Sequence, residues 1–99
     1  MSEAALKAEV VKVIKIYEEV IGHPATRTWP MIEKYGVIEA LSRLMISPDL
    51  QTGFKALRDI NQLDKTFETL VVRFKHLFKP NIVEAAQWRL DNPYELLDK

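Results

Sequence analysis

Few side chains in this chain can do chemistry, and their spacing argues against most reactions. Histidine occurs twice: His23 lies beside Pro24, and His76 sits among Arg73, Lys75 and Lys79. A metal site needs three or four His, Cys, Asp or Glu donors that converge, and cationic neighbours repel the ion. Neither histidine has such a spaced set of donors around it. The absence of cysteine removes thiolate metal sites, disulfides and a thiol nucleophile together. No Gly-x-Ser-x-Gly elbow is present, and the three glycines form no phosphate-cradling loop. Glu18 and Glu19 are adjacent carboxylates, but neighbours on a helix point in different directions and cannot share a substrate. They read as a solvated helix edge. No catalytic residue, cofactor or metal is therefore expected, and the chain does not read as an enzyme.

Binding chemistry is better represented. Arg73, Lys75, His76 and Lys79 form a small positive patch, with no acid between Glu68 and Glu84. Such a patch can contact phosphates, although cations also gather at helix C-termini because the macrodipole favours them. "MIEKYGVIEALSRLM" has the outline of a helix-turn-helix with Gly36 at the turn. Its second helix would open on Val37, Ile38 and Glu39, two apolar groups and an acid, leaving Arg43 as the base reader. DNA or RNA binding is thus an alternative and a disfavoured one.

Aromatic residues carry the sharper signal. Trp88 lies beside the Ile82/Ala86/Leu90 face, next to Arg89, and Tyr94 follows in a tail that contains Leu96 and Leu97. Trp, Tyr and Arg dominate interface hot spots, so Trp88, Tyr94, Leu96 and Leu97 are the candidate interface. A third possibility is a small-ligand pocket among Phe54, Phe67, Phe74 and Phe78, since bundles host sites between helices.

The elements that must position these groups read as helices throughout. Residues 2–24 place Leu6, Val10, Val13, Tyr17 and Val20 three or four apart, with Ser2 as N-cap and Gly22 then Pro24 as the stop. Residues 28–47 carry Thr28 as a cap, Pro30 in the first turn and an apolar stripe from Ile32 to Met45. Gly36 makes this one helix with a weak point, or two helices. Ser47, Pro48 and Asp49 open a third segment with Leu50, Phe54, Leu57 and Ile60 on its face. Residues 63–78, "LDKTFETLVVRFKHLF", read as the central helix, capped by Asp64, with Glu68 on its polar side. Asn81 and Glu84 resemble a capping box for the last helix, which ends near Pro93. Asn92 and Glu95 repeat that spacing and suggest a final turn.

From Tyr35 to Leu90 the chain resembles a helical module of uncharacterised bacterial proteins. The residues that carry the likeness include Tyr35-Gly36, Arg43-Leu44, Gly53-Phe54, Leu63-Asp64, Leu70-Val71, Leu77-Phe78 and Arg89-Leu90. The likeness implies a bacterial cytoplasmic helical domain and no particular activity.

The totals agree with this reading. At 99 residues the expectation is one domain spanning 1–99. Lys and Arg number 14 and Asp and Glu 14, a balance that holds within each third of the chain, so no basic arm marks a nucleic-acid binder. "MSEAALKAEVV" has no basic, apolar leader pattern, and no window approaches ~18 uninterrupted apolar residues. The expected protein is an all-α bundle of about five helices with short loops, cytoplasmic and without membrane contact. Its expected role is as an interaction module that forms a dimer or binds a protein partner.

Overall fold

A computed structural model describes residues 2–46 and 52–94. Among these residues every regular element is helical: α1 (Glu3–Ile21), α2 (Thr28–Tyr35), α3 (Val37–Ile46), α4 (Thr52–Asp59), α5 (Phe67–Arg73) and α6 (Pro80–Asp91). Single 3₁₀ turns at Leu63–Lys65 and Lys75–Leu77 flank α5. The chain is an all-α bundle.

The local rules that set α1 operate as expected. The Ser2 hydroxyl accepts the Ala5 N–H at 3.2 Å, satisfying a donor that the first turn would leave orphaned. Leu6, Val10, Val13 and Ile14 are buried along one stripe, whereas Val20, expected on that face, is exposed in the last turn. Gly22 takes the left-handed conformation (φ 80°) and donates its N–H to the Glu18 carbonyl, the arrangement glycine favours at a helix end.

Gly36 resolves the second segment into two helices. At φ 83° and ψ 163° it lies where a Cβ is strongly disfavoured. Its N–H closes α2 on Ile32 at 2.9 Å while its carbonyl opens α3 on Ala40 at 3.0 Å. Thr28 is not the cap of α2. Arg27 holds that position without a side-chain bond, and Thr28 is buried one residue further in. The proposed cap Ser47, the first-turn acid Asp49 and the face residue Leu50 lie outside the described residues. Phe54 and Leu57 are buried, but α4 ends at Asp59 and Ile60 is exposed.

The long central helix is not formed. Thr66, not Asp64, caps α5: its Oγ1 accepts the Thr69 N–H at 3.2 Å and donates to the Leu63 carbonyl at 2.8 Å. The helix stops after Arg73. Pro80 then holds Lys79 in an extended conformation, because a residue before proline avoids helical angles. Pro80 takes the first position of α6, where its missing N–H costs nothing. Asn81 therefore lies inside the helix, and the Asn81–Glu84 capping box does not exist. Asn92 donates its side-chain amide to the Trp88 carbonyl at 3.0 Å; Glu95 lies outside the described residues.

All six helices contribute to one apolar core. Leu6, Val10 and Ile14 from α1 meet Ile32, Leu41, Leu57, Val71 and Ala86 from the other five, and Phe74 from just beyond α5. Helices α5 and α6 pack closely, and α3 packs against both α1 and α6.

Candidate functional site

Helix α6 presents two chemically different faces. Ile82, Ala86 and Arg89 recur at four and three residues and are buried. Trp88, one position out of phase, keeps 48% of its surface exposed. Arg89 is thus not the exposed companion of Trp88 that its position in sequence suggested. Its guanidinium donates to Glu68 of α5 at 2.7 Å, with both side chains almost wholly buried. Glu68 likewise does not sit on a polar side of α5. Burial pushes its carboxyl above the usual carboxylate range, and Arg89 offsets part of that push.

Pro93 and Tyr94, just beyond α6, are held by α4. Arg58, itself buried, donates to the Pro93 carbonyl at 3.0 Å and to Asp59 at 2.9 Å. Its guanidinium also lies over the Tyr94 ring, 5.1 Å from the centroid, a favourable cation–π arrangement. Tyr94 remains 68% exposed. Tyr94 therefore stands on a backbone tied to α4, and Trp88 on α6, each with a large part of its surface in water. Leu96 and Leu97, the other two candidates, lie outside the described residues.

The basic patch is on the surface but is not purely basic. Arg73, Lys75, His76 and Lys79 are exposed, and Glu9 of α1 approaches Arg73 at 3.7 Å while pairing with Lys12 at 3.2 Å. His76 stacks on Phe74 with ring centroids 6.5 Å apart. The Gly36 turn fits DNA poorly. Val37 at the start of α3 is 2% exposed, whereas a recognition helix presents that end to the groove. Arg43 pairs with Glu39 at 2.9 Å and covers the Tyr35 ring at 4.0 Å.

Sequence reasoning missed the role of Glu18. Its Oε2 accepts the Ala25 N–H at 2.7 Å and the Trp29 indole N–H at 3.0 Å. These bonds hold its carboxyl below the usual range, the backbone N–H contributing most. Glu18 therefore pins the loop between α1 and α2 rather than forming a solvated edge, while Glu19 is exposed. Between that loop and the core lies a groove of about 310 Å³, partly open to solvent, lined by Tyr17, Leu44, Met45, Phe54, Phe67 and Glu68 and by the loop itself, Arg27 included. Of the four phenylalanines proposed to line a pocket, Phe54 and Phe67 do so, while Phe74 and Phe78 are buried in the core.

Among the described residues, no three His, Asp or Glu side chains gather in a way that could hold a metal. No helix there is long and apolar enough to cross a membrane. In comparisons with protein-family models, curated proteins and solved structures, the chain matches none.

Proposed function

We propose that this chain is a non-catalytic helical interaction module whose Trp88–Tyr94 edge docks on a second copy of itself or on another protein. The reading rests chiefly on one observation: Arg58 engages Pro93 and Tyr94 while Trp88 and Tyr94 both keep a large part of their surface exposed. Aromatic groups held in place before contact lose little conformational entropy on docking, and Trp and Tyr contribute most strongly when a partner desolvates them. A nucleic-acid role draws less support, because Glu9 faces the Arg73 end of the basic patch and Arg43 is engaged by its own helix pair.

Solution mass by light scattering, across a dilution series and at two salt concentrations, tests the proposal. The wild-type chain should form a dimer, and Trp88→Ala or Tyr94→Ala should return it to monomer with helicity unchanged. A wild-type monomer at every concentration that also retains no protein partner would refute it.

A further inference from the structure

The outer face of α6 carries a charge pattern that its own helix does not account for. Trp88 keeps 48% of its surface exposed. Glu84 and Asp91, four residues before it and three after, lie on the same side of the helix and are exposed as well. Asp91 is the last residue of α6, where the helix dipole favours a cation, and Lys79 is the N-cap, where it favours an anion. Arg89, the one base within α6, is buried against Glu68. Asp91 accepts the Gln87 side-chain amide at 2.9 Å, and among the described residues neither Glu84 nor Asp91 is in an ion pair. Trp88 is thus an exposed indole between two carboxylates that lack a cation.

That surface suits a partner bearing cations. An ammonium can lie over the indole while the carboxylates face it from either side. The surface does not suit itself, because Trp88 face on Trp88 face would set acid against acid. Its complement lies elsewhere on the same chain. Lys75 and Lys79 are exposed and, among the described residues, in no ion pair, while Glu9 pairs with Arg73 and Lys12 instead. Glu84 and Asp91 are about 10 Å apart along the helix axis, a span that two flexible lysines can match. With 14 bases and 14 acids the chain has no net charge to hold copies apart.

Taking the Trp88–Tyr94 edge as a docking surface, as above, we propose that its partner is a second copy of this chain, whose Lys75 and Lys79 lie against Glu84, Trp88 and Asp91. The contact is reciprocal, so a two-fold dimer makes it twice and closes. Sedimentation velocity across a dilution series reads it, with helicity checked by circular dichroism. Lys75→Glu/Lys79→Glu and Glu84→Lys/Asp91→Lys should each raise the dimer dissociation constant at least about tenfold. An equimolar mixture of the two variants should recover a dimer, because each reversed surface then meets its opposite. Added salt should weaken the wild-type dimer. If a reversal unfolds the chain, Glu84→Gln/Asp91→Asn, which removes the charges at nearly constant shape, should still loosen the dimer severalfold. A wild-type monomer at every concentration, reversals that leave the dimer intact, or a mixture no tighter than its components would each overturn the proposal. A dimer lost on Trp88→Ala but untouched by both reversals would overturn it and leave the docking role of Trp88 standing.

Discussion

Glu68 and Arg89, 21 residues apart in sequence, join α5 to α6 through a 2.7 Å ion pair whose side chains are 4% and 5% exposed. Removing one member of such a pair leaves a buried charge uncompensated, at a cost of about 3–5 kcal/mol. Arg89→Met should lose stability on that scale, and Glu68→Met/Arg89→Met considerably less, since two apolar side chains of similar length can refill the space. Urea unfolding of the three chains checks this. A double variant as unstable as Arg89→Met would argue against the pair as the source of the loss.

The same pair sets a pH dependence. Burial raises the Glu68 carboxyl above its ordinary value of 4.5, so the folded state holds this proton more firmly than the unfolded state does. Its contribution is then most favourable below the ordinary value and is lost as pH rises through the raised one. Without the guanidinium the carboxyl rises further. The deficit of Arg89→Met relative to wild type should therefore be smallest at acid pH and widen as the pH climbs above 4.5. A deficit constant from pH 4 to 7 would contradict this.

Thr66 and Asp64 offer a contrast in helix capping. Thr66 is 1% exposed and its hydroxyl both accepts and donates, whereas Asp64 lies exposed in the preceding 3₁₀ turn. Thr66→Ala should cost about 0.5–2 kcal/mol, and Asp64→Ala should stay within about 0.5 kcal/mol of wild type. Thermal unfolding distinguishes them, and equal losses would restore Asp64 as a cap.

These cases show what the sequence made legible. Periodicity located the helical segments and most of the core, because an apolar stripe at steps of three and four has few other uses. Ser2 and Gly22 were readable because a cap acts within its own turn. Asp64 misled because Thr66, two residues on, offers a competing oxygen, and tertiary burial favoured it. Asn81 misled because Pro80 claims the first helical position. Arg89 was missed because Leu90, four residues after Ala86, completes the face of Ile82 and Ala86 by spacing; Arg89 is buried there while Leu90 is half-buried, and only the fold brings Glu68 opposite. Glu18 was beyond reach, since its partners depend on how the loop folds back onto α1.

Gly36 separates α2 from α3 at φ 83°, and a Cβ added there would meet open space. The cost of Gly36→Ala is therefore backbone strain alone, about 1–3 kcal/mol. A lower melting temperature with near-native helicity is expected; an unchanged melting temperature would mean that the turn tolerates another conformation.

Charge placement predicts weak contact with nucleic acid. Fixed phosphate contacts give an affinity that falls steeply with salt, and here Glu9 adjoins Arg73 while the chain has no net charge. Mixed-sequence duplex DNA and RNA should show no saturable binding below about 10 μM at low salt. Salt-sensitive binding abolished by Lys75→Glu/Lys79→Glu would instead favour the nucleic-acid reading.

Glu18 should act as an acid-sensitive latch on the loop it pins. Its carboxyl titrates below the ordinary 4.5 because the ionised form accepts the Ala25 and Trp29 N–H groups. A depressed folded value means that this contribution is complete above the unfolded value and disappears as pH falls through the depressed one. With two tryptophans in the chain, Trp88→Phe leaves Trp29 as the sole reporter. In that background Trp29 emission should move to the red as the pH drops below 4.5, and Glu18→Ala should show the shifted spectrum already at neutral pH with its helices intact. Matching spectra for Glu18→Ala and its parent across the range would mean that Trp29 is held by packing and that the carboxylate does not latch the loop.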